Sequence, residues 1–115
     1  MPADQDVQNA LEVFRQRLSA RGDVVDLVLF GSRARGDADA QSDTDVAVIL
    51  RGETSPDLAT SFGLADLAFD VLLETGVLIE PLAVAEAEWR TPGRHSNPDL
   101  LRRIATEGRP IGVAA

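Results

Sequence analysis

Two aspartates, Asp43 and Asp45, stand two positions apart at the mouth of an apolar run, Val46-Ala47-Val48-Ile49-Leu50. Side chains alternate across a strand, so this spacing puts both carboxylates on one face and in one small volume. Ionised and unpaired, they repel and one pKa rises; a divalent cation between them relieves the repulsion. Upstream, the run from Val24 to Phe30 stops at Gly31-Ser32, with ten residues between Ser32 and Asp43. A strand ending on a Gly-Ser turn, followed by a short helix over Ala34 to Asp39, aims backbone N–H groups and the Ser32 hydroxyl at an anion, and phosphate suits that geometry. Taken singly, the turn and the acids Asp37, Asp39, Asp43 and Asp45 also read as an ordinary turn beside a solvated loop. Held at this spacing between two strands of buried type, they point to a site for phosphate and metal. Arg35 is the candidate phosphate contact; it and Arg33 otherwise neutralise the acids around them.

Composition narrows the chemistry. The chain has no cysteine and one histidine, which leaves no thiolate nucleophile, no cysteine zinc site and no multi-histidine metal site. Hard oxygen ligands remain, hence Mg²⁺ or Mn²⁺. All 11 basic residues are arginine, so the lysines of P-loop and kinase sites are missing and a nucleotide must be held by other means. A net charge of −8 opposes a broad nucleic-acid footprint, which depends on clustered Lys and Arg, and favours a basic partner protein. No basic leader followed by an apolar stretch opens the chain, and no apolar run reaches membrane length, so the expectation is a cytoplasmic protein without membrane contact. At 115 residues and 44% hydrophobic content, one domain over residues 1–115 with a modest core is expected.

The elements that must position the acids follow from periodicity. Val7, Leu11, Phe14 and Leu18 make one face of a first helix over Asp6 to Ala20, closed at Gly22. After the second strand ends at Arg51-Gly52, Thr54 and Ser55 provide hydroxyl caps for a long helix reaching Thr75. Its expected inner stripe is Leu58, Phe62, Ala65, Phe69 and Leu72, with Asp66, Asp70 and Glu74 on the solvated side. Val77 to Val84 reads as a third strand, and Pro81 suggests an edge position. Glu80 is the anomaly of that strand, a lone carboxylate among Val77, Leu78, Ile79, Pro81 and Leu82. Glu86 to Trp89 form a short turn or helix, with Trp89 a satellite core residue. Thr91 to Pro98 is a loop carrying His95, a surface histidine, and a last helix presents Leu100, Leu101 and Ile104 inward with Arg102 and Arg103 outward or toward a partner. The expected fold is thus α/β, in the order α-β-α-β-α-β-α, with a small mixed sheet that carries the acids on one face and helices on the other.

Gly31-Ser32, ten residues, then Asp43-Thr44-Asp45 resembles the GSx10DxD signature of the polymerase-β-type nucleotidyltransferases, and LFGSRARG…SDTDVAV is similar to the bacterial minimal members of that superfamily. The resemblance implies that Gly31 and Ser32 hold the β- and γ-phosphates of a nucleoside triphosphate, and that Asp43 and Asp45 ligate two metal ions. A third acid, on the strand after the long helix, completes the metal set in such proteins; Glu80 stands there by element order, with Asp66, Asp70 and Glu74 as rivals. The implied reaction is transfer of AMP from ATP to a hydroxyl. Similar minimal proteins serve as antitoxins that modify a partner ribonuclease of the HEPN class, which makes a basic HEPN-type toxin the expected partner. Two other readings stay open: transfer to a small molecule such as an antibiotic, and a non-catalytic module that neutralises a partner by contact.

Overall fold

A computed structural model describes residues 4–39 and 42–112 of the chain. A helix, α1 (Asp4–Leu18), precedes strand β1 (Val24–Phe30), the one-turn helix α2 (Ser32–Arg35) and strand β2 (Thr44–Leu50). The long helix α3 (Leu58–Thr75), strand β3 (Ile79–Ala85), the short helix α4 (Glu86–Arg90), helix α5 (Pro98–Glu107) and a two-residue strand β4 (Arg109–Pro110) complete the order. The sheet runs β3-β2-β1-β4, with β1 antiparallel to both β2 and β4 and with β3 parallel to β2. Parallel pairing requires a crossover, and α3 is that crossover. Because β3 lies at the edge, Pro81 removes no N–H that an inner strand would need.

Strand alternation decides which side chains meet which helices. Leu27, Leu29, Val46 and Val48 face one side of the sheet and pack with Val7, Leu11, Phe14 and Leu18 of α1 and with α3. Val28, Ala47, Ile49 and Val84 face the other side and meet Leu101 and Ile104 of α5, with Trp89 packed at the margin. Val46 through Ile49 are fully buried, since β2 is central and covered on both sides. The two long helices thus share one face, as the sequence predicts, while α5 adds partial cover to the face from which Asp45 projects. Each buried Leu, Ile, Val or Phe removed from water contributes about 1.5–3 kcal/mol, so these two clusters supply most of what holds β2 in place.

Four local expectations are corrected. The inner stripe of α3 is Leu64, Ala68 and Val71, whereas Leu58, Phe62 and Phe69 point to solvent. Both stripes have helical period; the small Ala68 lets the helix approach α1 and the sheet, which the phenylalanine stripe cannot. The cap of α3 is Asp57, whose carboxylate accepts the Thr60 N–H at 2.8 Å, rather than Thr54 or Ser55. The turn after β1 is helical over Ser32–Arg35 instead of Ala34 to Asp39, because Gly36 ends it in the left-handed conformation with φ 84°. β3 begins at Ile79 rather than Val77, the two residues after Gly76 being used to leave α3.

Ser55 has a different task. Its hydroxyl donates to Glu88, a carboxylate only 3% exposed, whose other oxygen accepts the Ala85 N–H at 3.0 Å. Glu88 therefore pins the loop before α3 to the start of α4. Glu88→Ala should destabilise the fold by about 1–2 kcal/mol, since it strands the buried Ala85 N–H and frees the Ser55 hydroxyl to water, whereas Glu88→Gln should cost about half as much. Urea unfolding at an unchanged m-value checks this.

Candidate active site

The acidic end of the sheet is built by register. Asp45, the second residue of β2, has Phe30 of β1 as its neighbour on one side and Glu80 of β3 on the other. In-register neighbours on adjacent strands point the same way, so Asp45 and Glu80 project together at a strand spacing of about 4.8 Å. The same register puts Gly31, the residue after Phe30, against Asp45. A Cβ built on Gly31 would lie 2.6 Å from the Asp45 Oδ2, and its φ of 76° is one that side chains rarely accept. Glycine is thus required twice here: by the turn and by the carboxylate behind it.

Immediately after Gly31, the turn gathers its hydrogen bonds on two carbonyls. Gly31 O accepts from Ala34 and Arg35 N–H, each at 3.1 Å, and Ser32 O accepts from Gly36 and Asp37. The first N–H groups of such a turn, those of Ser32 and Arg33, have no acceptor within it and are available to an anion. Arg33 acts on the other limb of the loop: its Nη2 donates to the Ser42 carbonyl at 3.0 Å, and its Nε is buried without a partner. This holds the backbone directly before the exposed Asp43, a positioning role that sequence patterning does not reveal. Ser42 in turn braces Asp39, donating to its carboxylate and accepting its N–H.

The three acids interact strongly. Burial pushes the Asp45 carboxyl up from its ordinary 3.8 to about 6, and the negative charges of Glu80 and then Asp43 push it the same way, as does a hydrogen bond with Glu80. Asp43, Asp45 and Glu80 have no arginine ion pair among the described residues: Arg35 lies against Asp37 at 3.3 Å and Glu107 at 3.6 Å. No group of three carboxylates among the described residues is drawn tightly enough around one point to enclose an ion as it stands. A wholly oxygen donor set with no arginine ion pair among the described residues is of the chemical type that suits a hard divalent cation.

A stability prediction follows from the sign of the shift. The folded chain holds the Asp45 proton more tightly than the unfolded chain, so the resulting stabilisation is present below pH 3.8 and is lost as pH rises through about 6. Discounted for the solvent that reaches this half-exposed group, the loss is about 1 kcal/mol. Without divalent cations, Asp45→Asn should therefore melt above the parent at pH 7.5 and match it more closely near pH 4. Added Mg²⁺ should raise the melting temperature of the parent more than that of the variant.

Of the other residues singled out in the sequence, Arg35 lines a cleft of about 160 Å³ with Phe30, Gly31, Leu100, Arg103 and Glu107. Arg103 thereby joins the site side of the molecule, which its position on α5 alone did not show. Among the rivals for the third acid, Glu74 is bonded to Arg17, and Asp66 and Asp70 lie exposed on α3, away from the strand mouths. His95 serves its own loop, its Nδ1 accepting the Asn97 N–H at 2.9 Å. No helix among the described residues is long and apolar enough to cross a membrane.

Residues 9–110 match the family model described as a nucleotidyltransferase domain. A protein of Methanocaldococcus jannaschii named as a candidate protein adenylyltransferase is 30% identical over 106 residues, covering 90% of this chain and 96% of the relative. A crystal structure of a candidate nucleotidyltransferase from Sulfolobus solfataricus superposes with a TM-score of 0.54 at 14% identity, covering 96% of this chain and 90% of that one, and is a likeness of fold.

Proposed function

The chain belongs to the nucleotidyltransferase domain family, and from that premise we propose that it transfers AMP from ATP to a hydroxyl group on a partner protein. The observation that carries the proposal is the convergence at one sheet end of the Gly31 turn, Asp45 and Glu80, with the proton affinity of Asp45 raised by burial and then by its acidic neighbours. In this reading the free N–H groups at Ser32 and Arg33, with the Ser32 hydroxyl, hold the β- and γ-phosphates. Arg35, beside Gly31, contributes a guanidinium to the triphosphate. Asp43, Asp45 and Glu80 are the residues that would hold Mg²⁺ or Mn²⁺, which when bound supplies charge neutralisation at the phosphates and activation of the attacking hydroxyl. The acceptor oxygen bonds to the α-phosphorus, the bond from that phosphorus to the bridging oxygen breaks, pyrophosphate leaves, and the hydroxyl proton passes to solvent. The chain's own contribution is placement: a rigid central strand for Asp45, a glycine turn packed against it, and a loop clamped by Arg33 in front of Asp43.

A protein acceptor is supported by the name of the M. jannaschii relative and by charge. With a net charge of −8, this chain attracts basic proteins and repels nucleic acid. We place it in the cytoplasm, where ATP is supplied, as the antitoxin of a pair whose toxin is a basic HEPN-type ribonuclease. Intact-mass spectrometry of a co-encoded partner after incubation with ATP and Mg²⁺ tests this. Increments of one or more AMP units on a tyrosine, serine or threonine are expected. Labelling of an aminoglycoside or a nucleic-acid end, with the partner unchanged, would replace the reading with a small-molecule or nucleic-acid transferase.

A further inference from the structure

All the large apolar side chains that stand strongly exposed among the described residues lie on α3 or directly after it: Leu58 at 73%, Phe62 at 66%, Phe69 at 54%, Leu73 at 71% and Leu78 at 50%. At 100° per residue the four on α3 fall within an arc of about 60°, along a helix about 27 Å long. Leu64, Ala68 and Val71, on the opposite arc, already pack against the body of the protein. The helix therefore has two apolar faces and uses one. A continuous outward stripe of this kind marks an interaction surface, whereas scattered exposed leucines would not.

Its border says what covers it. Asp66 and Asp70 flank the stripe along one edge, and α3 contains no arginine or lysine. Glu74, next along, is bonded to Arg17 of α1, whose guanidinium also feels the charge of Asp70; Asp66 has no ion pair among the described residues. A second copy is a poor occupant, since antiparallel pairing of two α3 stripes sets the Asp66-Asp70 edge against its own copy. Any such pairing also joins two chains of net charge −8. An anionic lipid surface is repelled for the same reason. We propose that the outer face of α3 is the docking surface for an amphipathic helix of a partner protein, apolar on one face and edged with arginine or lysine. Such helix-on-helix recognition uses anchors spaced three or four residues apart, which Leu58, Phe62, Phe69 and Leu73 provide. The stripe ends next to the site: α3 closes at Gly76, and Leu78 precedes Glu80 by two residues. α3 covers the sheet face opposite to the one from which Asp45 projects, so a protein seated on its outer face reaches the acidic end of the sheet only past the C-terminal turn of the helix. Docking stands on the surface alone; that the docked protein is also the acceptor rests on the reading above.

The probe is an 18-residue helical peptide with leucines at three- and four-residue spacing and arginines along its edges, compared with the same peptide edged by glutamate. Fluorescence titration should show the arginine-edged peptide binding at least about tenfold more tightly than the glutamate-edged one, and more weakly as salt rises to about 0.5 M. Phe62→Glu and Phe69→Glu should each weaken that binding at least about tenfold although both add negative charge, a sign that separates apolar docking from general attraction to an acidic surface. Both variants should keep the parental melting temperature and the parental ATP affinity, because neither side chain is buried or near Gly31. Equal binding of the two peptides, binding of neither, or an unchanged dissociation constant in both variants would overturn the proposal. So would a concentration-dependent dimer in sedimentation, or adsorption to phosphatidylcholine vesicles, that the two substitutions abolish. Peptide binding that survives in a chain releasing no pyrophosphate from ATP would leave the docking surface standing and remove the enzymatic reading.

Discussion

Asp43→Asn combined with Asp45→Asn is expected to lower pyrophosphate release from ATP by about a thousandfold or more, which corresponds to roughly 4 kcal/mol of transition-state stabilisation. Asp45 packs against Gly31, Asp43 stands two residues before Asp45 at the mouth of β2, and amides in their place cannot neutralise a divalent cation or hold it against the phosphates. The fold should survive the change. Asp43 is exposed, and Asp45 is held at a cost, its carboxyl kept near pKa 6 by burial and by its acidic neighbours. Stability at neutral pH should hold or rise while activity disappears, a combination that loss of structure cannot produce. Steady-state pyrophosphate assays and thermal melts on the same preparations check it, and parental turnover in the double variant would remove the catalytic role of the pair.

Glu80→Gln is the second large effect, with transfer lowered by about a hundredfold or more, or about 2.7 kcal/mol, and the melting temperature nearly unchanged. The pairing of Glu80 with Asp45 across β2 and β3 is the reason, together with its exposure, which leaves little packing to lose. Asp66→Asn and Asp70→Asn serve as the contrast, because both lie out on α3. Normal turnover in Glu80→Gln, with loss in Asp70→Asn, would move the third acidic role to the helix.

The parts of this molecule legible in its sequence are those set by local pattern. Val7, Leu11, Phe14 and Leu18 are buried as their spacing predicts, the Gly31-Ser32 turn follows β1, and Asp43 and Asp45 stand at the start of β2. Glu80 stood out as a carboxylate in an apolar run, and element order put it on the strand that the sheet places beside Asp45. Pattern failed where two answers were equally periodic. The phenylalanine stripe of α3 is as regular as the buried one, and only the packing of Ala68 and Val71 against α1 and the sheet decides between them. Long-range partners were illegible for a different reason. Ser55 with Glu88 and Arg33 with Ser42 are joined by the fold, and no spacing rule connects residues 33 or nine positions apart. β4, two residues long, is too short to carry a pattern and exists because β1 has an open edge beside it.

The most direct measurement of the central claim follows the two ends of the triphosphate separately. Incubated with the partner protein and Mg²⁺, ATP labelled at the α-phosphorus should leave its label on the partner, and ATP labelled at the γ-phosphorus should release all of its label as pyrophosphate. Label from the γ-position on the partner, or release of γ-label as orthophosphate with no α-label transferred, would contradict nucleotidyl transfer by this site.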